Sequence, residues 1–443
     1  MGSFQQNFEN IMVKIGTVLG GNKYLRILRH SFMALLPLTI AGSLSLIITN
    51  FPFIERMISE NGLEQIRNFF TIVSRATLSL VALYLAGAIG YYFAKEEKEE
   101  PLYGLIVSVA SFLILTPLEL NFEGNTITNV IPMRWLGGNG LFVAMVVGLT
   151  VSYVFIKLWK SKWTIKLPDS VPPSVTESFR VLFPAIIVFT LVAGVNYLME
   201  FTSYGNIHQL LFEVLQTPLM NIGTTLPASI IVVIFIQLMW FVGLHGQNIA
   251  GAVMNPIWDA AGLANLEAVN AGYQPEFIFT RQFFSGFIWM QFIALIIACL
   301  IFARSKQLKA VGKLSIGSAI FNISEPIVFG SPVVLNIMLL IPWVFNMVAS
   351  VIITWAAMAS GLVPLPIGAV IPWTVPPIFS GWMITGSPMG AVLQVVLLAA
   401  GVFIYLPFIK MYDKQLVKSE REHESYVEET KESKEIVKKK TPA

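Results

Sequence analysis

Cysteine is almost absent and charge is scarce. The 443 residues hold one cysteine, Cys299, and only 12% Asp, Glu, Lys and Arg. A single thiol excludes an internal disulfide framework and a cysteine metal cluster. Cys299 lies inside the apolar run 294–302, where a lone thiol reads as an inert packing residue. The charged share is about half that of a soluble domain, which excludes an ordinary water-soluble enzyme. No Gly-x-x-x-x-Gly-Lys-Ser/Thr loop is present, so no ATPase is built in. No His/Cys/Asp group has metal spacing and no nucleophile–base–acid set stands out. No metal, cofactor or catalytic residue is therefore expected. The net charge of +3 gives no reason to expect nucleic acid. The first ten residues lack a basic region followed by an apolar core, so no cleavable signal peptide is expected.

What is present is apolar sequence. Hydrophobic residues make up 55% of the chain. Apolar runs at 31–50, 72–94, 102–118, 138–157, 181–200, 227–247, 282–303, 333–358 and 388–409 each approach the ~20 residues that cross a bilayer as a helix. Four further stretches, 207–222, 248–266, 314–330 and 363–384, are apolar but interrupted. The pattern predicts an all-α polytopic membrane protein.

Basic loops set the count, because Lys and Arg near span ends favour the cytoplasm. The start of the chain, with Lys14, Lys23, Arg26 and Arg29, is placed inside. So are the loops with Lys157, Lys160, Lys162 and Lys166, with Arg304, Lys306, Lys309 and Lys313, and with Lys410, Lys414 and Lys418. These placements need one interrupted stretch between 201 and 281 to cross fully. They leave 314–330 and 363–384 to dip in and return. The expectation is ten transmembrane helices, two re-entrant hairpins and both termini cytoplasmic. Residues 1–200 read as a scaffold half with five spans. Residues 201–412 read as the half that carries substrate. Residues 413–443 read as a charged tail, a solvated helix or disordered, in which Lys438, Lys439 and Lys440 suit contact with anionic lipid.

The centre of the second half is the stretch around Glu325. This carboxylate interrupts an apolar run, and Pro326 and Gly330 prevent one continuous helix. At membrane depth a broken backbone must be buried in protein or line a wet cavity. A carboxylate there is costly unless paired, so its default reading is functional. Asn322 and Ser324 stand beside it. His245 lies between Gly243 and Gly246, with Asn248 three residues on. It can donate to a hydroxyl, accept from one, or carry a proton. Trp382, and less so Trp373, offers a flat apolar face and one N–H beside irregular backbone. Asn139 stands among Gly137, Gly138 and Gly140. Among Asn248, Asn255, Asp259, Glu267, Glu276 and Arg281, some are expected to line a cavity. These features fit a carrier of a hydroxylated solute. An ion-coupled transporter with Glu325 and His245 as a proton relay fits as well.

The run Asn322-Ile323-Ser324-Glu325-Pro326-Ile327-Val328-Phe329-Gly330-Ser331-Pro332 resembles the signature of Enzyme IIC subunits of the sugar phosphotransferase system, in the lactose/cellobiose/diacetylchitobiose branch. Gly243-Leu244-His245-Gly246 with Asn255-Pro256-Ile257-Trp258, and the ending 405–413, are similar to its other landmarks. The resemblance implies a homodimer made by the N-terminal half and an elevator-like motion of the C-terminal half. It implies that Glu325 and His245 hold the hydroxyl of a β-linked disaccharide such as cellobiose. That hydroxyl would receive phosphate from a cytoplasmic IIB subunit, itself charged by IIA, in the bacterial plasma membrane. The phosphorylated cysteine would belong to IIB, not to this chain. One departure stands out: a Gly-Gly-x-Gly run common in the family is replaced by Phe284-Ser285-Gly286-Phe287-Ile288-Trp289.

Overall fold

The computed structural model describes residues 10, 11, 13, 14, 17, 18, 21–44, 48, 57–122, 125–161, 164, 165, 167, 168, 171–330 and 333–440. Ser331 and Pro332 of the signature, Lys162 and Lys166, and nearly all of the first ten residues lie outside this set. The lysines at 438–440 are described only as helix.

The apolar runs form helices, and their breaks decide how many pass for full spans. Six helices among the described residues are long and apolar enough to cross a membrane, and a seventh if the pair Ile207–Gly223 and Leu226–Phe241, bent by 72°, is one span. The ten expected crossings are thus not all visible as unbroken helices. Pro101–Leu115 has 15 residues. The first span is split into Lys23–Ala34 and Leu36–Gly42, with Pro37 at the start of the second piece. Residues 281–291 pass through short α, π and 3-10 turns before helix Phe292–Phe302. The sequence reading had no strand, yet Glu119–Phe122 and Asn125–Thr128 form an antiparallel hairpin, Glu119 opposite Thr128. Thr126, Ile127 and Thr128 are β-branched, the type that favours strand.

The helices of residues 23–199 pack as a bundle whose core continues into Met220, Ile257, Ala260, Leu263 and Ala369. Leu85, Ile89, Phe93, Phe112, Phe155 and Trp159 share its core. Helices Val81–Glu96 and Pro101–Leu115 cross where Gly90 meets Gly104: a Cβ on Gly90 would lie 2.2 Å from the Gly104 carbonyl oxygen. Small residues at such a crossing let two helix backbones approach and pack by van der Waals contact. At one end, Glu97 pairs with Lys23 and with Lys160 Nζ at 2.7 Å, and Arg26 pairs with Glu96. The basic start of the chain and the basic segment near 160 therefore lie at the same end.

The second half has two cores. One gathers Trp240, Phe292, Leu295, Trp343 and Tyr405; the other gathers Phe283, Phe287, Met347 and Leu397. Of the interrupted stretches, 314–330 and 363–384 are broken in the structure, whereas 248–266 lies within the continuous helix Gly246–Asn270. Helix Lys306–Ala319 ends, residues 320–324 turn, and Glu325–Gly330 is a separate helical turn. Residues 361–378 are irregular before helix Phe379–Thr385.

Irregular backbone at membrane depth needs partners for its N–H and C=O groups. Three side-chain amides supply many of them. Asn265 donates to the carbonyls of Phe277 (2.7 Å) and Pro366 (2.8 Å) and accepts from the N–H groups of Glu276 and Phe277. Gln394 donates to Gly286 O at 2.6 Å and to Ser380 Oγ at 2.9 Å, and accepts from the N–H groups of Gly381 and Ile378. Asn322 donates to the carbonyls of Trp373 (2.8 Å) and Val375 (3.1 Å), which ties the two broken stretches together. Its φ of +58° is a conformation that Asn tolerates better than most residues.

The last helix runs from Pro388 to Lys440 without a break. Its charged part begins by docking. Asp413 accepts from the N–H groups of Arg304 (2.9 Å) and Ser305 (2.8 Å), and Glu420 accepts from those of Lys306 and Gln307. Both carboxylates sit at the N-terminus of helix Lys306–Ala319, where negative charge is stabilising.

Candidate functional site

A cavity of about 590 Å³ opens between residues of segment 32–141 on one side and of segment 236–373 on the other. Phe32, Leu36, Val81 and Leu141 form its wall on the N-terminal side. His245, Asn248, Asn322, Ser324 and Glu325 line it from the other. Five of the seven candidate site residues thus converge from two segments about 80 positions apart in sequence.

His245 is the N-cap of helix Gly246–Asn270. Gly243 precedes it with φ +80°, the left-handed turn that reverses the chain after Phe241. A Cβ on Gly246 would lie 2.2 Å from Ile236 O, so the close approach these glycines allow is made to the preceding helix. The imidazole is then fixed from two sides. Its ring lies 4.6 Å from that of Trp240. Its Nδ1 accepts from the Asn248 N–H at 3.3 Å, which leaves Nε2 to carry the hydrogen in the neutral ring. Nε2 faces Glu325 Oε1 across 3.8 Å, and the two side chains are 41% and 46% exposed. That separation is too long for a hydrogen bond. It places a donor and an acceptor side by side, both open to a ligand. A hydroxyl uses both roles at once: it accepts from Nε2–H and donates to the carboxylate.

Helix Gly246–Asn270 continues this polar wall. Asn248, Asn255, Asp259 and Leu263 recur at i, i+7, i+11 and i+15 and all line the cavity, as one helical stripe should. Arg281 arrives from the following segment, and its Nη1 donates to Asp259 Oδ2 at 2.9 Å. The apolar part is aromatic. Trp258 stacks on Phe284 at 3.9 Å and Phe284 on Trp289 at 5.5 Å, and all three line the cavity.

Two candidates lie elsewhere. Trp382 is half-buried in helix Phe379–Thr385 and does not line the cavity; the tryptophans that do are Trp258, Trp289 and Trp373. That helix is drawn against the last one, where a Cβ on Gly381 would lie 2.5 Å from Gly390 O. Asn139 sits in the turn Gly138–Gly140, and its neighbour Leu141, not Asn139, faces the cavity. Of the acidic residues after 260, Glu267 accepts from the Gly138 N–H at 2.9 Å and Glu276 is exposed. The aromatic wall at 284–289 was visible in the sequence only as a lost glycine run. Its period is broken by a π turn at Phe284–Ile288, so no helical face signals it.

Discontinuous helices around a polar cavity, within a chain of apolar spans, define a membrane transporter. Comparison with known proteins gives the family. The family described as "Phosphotransferase system, EIIC" matches residues 29–346. The oligo-beta-mannoside-specific EIIC component of the phosphotransferase system of Bacillus subtilis (strain 168) is 37% identical over 424 residues, covering 94% of this chain and 96% of that protein. The cellobiose-specific EIIC component of Geobacillus stearothermophilus is 33% identical over 440 residues, covering 95% and 97%. The crystal structure of the transporter ChbC, the IIC component from the N,N'-diacetylchitobiose-specific phosphotransferase system, superposes with a TM-score of 0.86 at 35% identity, covering 92% of this chain and 98% of that one. The chain belongs to the phosphotransferase-system EIIC family, as a multi-pass bacterial membrane protein and permease IIC component.

Proposed function

We propose that this chain binds a β-linked disaccharide of the cellobiose type in the cavity between its halves and carries it inward as a IIB subunit phosphorylates it. The observation that carries the reading is the His245–Glu325 pair, 3.8 Å apart and open to that cavity. The names of the relatives above, all of them β-glycoside systems, support the substrate class.

In this reading one sugar hydroxyl lies between His245 Nε2 and Glu325. His245 orients it by donating, and Glu325 accepts its hydrogen. When the site faces the cytoplasm, the hydroxyl oxygen attacks phosphorus on the IIB phosphocysteine. The P–S bond breaks, the P–O bond forms, the hydroxyl proton passes to Glu325, and the thiolate leaves with IIB. Asn248, Asn322 and Ser324 complete the polar wall. Buried Cys299 takes no part.

The transport step follows the two halves. Residues 1–200 serve as scaffold and 201–412 move against them, so that the cavity they share opens to one side at a time. Ten crossings, two re-entrant hairpins and cytoplasmic termini belong to this proposal. The salt bridges that gather Lys23, Glu97 and Lys160 at one end support the termini placement. A homodimer through the N-terminal half is supported by helix Pro173–Met199, which leaves Phe183, Ile186, Leu191 and Leu198 exposed.

Glu325→Gln keeps the shape but accepts more weakly and takes no proton. The variant is expected to fold and insert, to bind sugar more weakly, and to lose nearly all phosphorylation-coupled uptake. The measurement is sugar binding and vectorial phosphorylation in vesicles supplied with the cytoplasmic partners. Near-wild-type values for both would sink the assignment. A proton-coupled carrier using the same two residues would instead deliver free sugar under a proton gradient, with no phosphorylated product.

A further inference from the structure

The cavity has a second polar end. Asp259 and Arg281 both line it, joined at 2.9 Å, with side chains 16% and 33% exposed. An ion pair is a costly thing to place beside apolar spans, because two charges must leave water. This one is also left incomplete. Among the described residues, Arg281 uses Nη1 alone, and Asp259 uses Oδ2 alone. The remaining guanidinium N–H groups and Oδ1 have no partner among the described residues. Gln282, next in the chain, lines the cavity too, and its buried Oε1 has no partner among the described residues.

The position is held from outside. Asn265 binds the backbone of Glu276 and Phe277, so the segment that delivers Arg281 is fastened to the helix that carries Asp259. Along that helix, Asn248 beside His245 and Asp259 are 11 residues apart, or about 16 Å at helical rise. The aromatic wall of Trp258, Phe284 and Trp289 lines the same cavity. One pyranose ring cannot reach both ends.

We propose that the Asp259–Arg281 pair is a second sugar subsite, which reads the ring that is not phosphorylated and so selects di- or oligosaccharides over single rings. The inference rests on the function proposed above. Two neighbouring ring hydroxyls match the unused groups: one donates to Asp259 Oδ1 while the other accepts from Arg281. Because the carboxylate neutralises the guanidinium, the subsite favours an uncharged polyhydroxyl ligand. The aromatic wall takes the less polar face of the sugar.

The test is calorimetry on the full chain in detergent, with cellobiose, mannobiose and N,N'-diacetylchitobiose and with the methyl β-glycoside of each single ring. The double variant Asp259→Leu/Arg281→Met removes both charges and leaves neither uncompensated. It is expected to weaken the best disaccharide by about tenfold or more and to leave the matching methyl glycoside within about twofold. Arg281→Lys keeps the pair but not the planar fork. It is expected to give a smaller loss with the same selectivity, and it carries the test if the double variant does not fold. Unchanged disaccharide affinity in a folded variant would overturn the proposal, as would equal losses for both ligand classes. A wild-type protein that binds none of these sugars would instead overturn the proposed function itself.

Discussion

In the bundle of residues 23–199, Ser111 and Ser152 are buried with hydroxyls that have no partner among the described residues. In the half that follows, Asn265 uses its amide in four hydrogen bonds to backbone up to 101 positions away. The two regions are held by different means. In the bundle many small polar side chains bond their own helix, as Ser31 does to Ile27 O and Thr150 to Val146 O, while Ser108 donates across to Ala86 O. The second half has been opened to make a cavity, and buried amides replace the hydrogen bonds its broken helices gave up.

Asn265→Ala should have the largest effect. It strands several buried backbone groups, so a loss of about 3 kcal/mol or more is expected, with sugar binding lost as well. Ser152→Ala in the bundle is expected to change stability by less than about 0.5 kcal/mol. Chemical unfolding in detergent measures both, and similar losses would end the distinction.

The bundle should fail through packing instead. Gly104→Val puts a branched side chain where even a Cβ would lie 2.3 Å from the Gly90 carbonyl oxygen. Overpacking of this kind costs about 1–3 kcal/mol or more. A variant that unfolds at the wild-type denaturant concentration would show that the two helices are free to separate.

A smaller effect sharpens the boundary between the last span and its charged extension. Glu420→Ala removes the acceptor for the N–H groups of Lys306 and Gln307, at the helix that leads to Glu325. The expected cost is about 1 kcal/mol, the scale of a lost helix cap. Sugar affinity should fall with it. Cutting the chain after Lys414 should reproduce that loss, whereas a freely solvated tail would leave affinity as it was.

The smallest effect concerns pH. Lys160, and then Lys23, hold the Glu97 carboxyl below its usual range. A group depressed on folding stabilises above its unfolded value, near about pH 4.3, and the contribution fades as pH falls through the lower folded value. The groups are partly exposed, so less than about 1 kcal/mol is at stake. The stability difference between wild type and Glu97→Gln should be present at pH 7 and fade as pH falls below about 4. A difference that grows on acidification would reverse the sign.

Local chemistry made part of this molecule legible. Scarce charge and runs near the length of a bilayer required a membrane protein of helices. Pro326 and Gly330 required a break beside Glu325, and the glycines around His245 required a turn. The stretch near 284–289 was illegible for the converse reason, since a π turn spoils the period on which such readings depend.

By itself, then, the sequence marked, through composition and periodicity, the apolar spans, the break before Glu325 and the polar residues beside it, though not the continuity of helix Gly246–Asn270 or the π turn at Phe284–Ile288. Tertiary structure alone decided which of those residues meet. Asp259 finds Arg281 at a separation of 22, Gln394 finds Gly286 at 108, and Asp413 finds Ser305 at 108. It also decided that Trp382 stays outside the cavity while Trp289 enters it. Periodicity and backbone restriction act over a few residues and are written locally. A hydrogen bond across a hundred residues depends on the path of the whole chain, and no local pattern records that path.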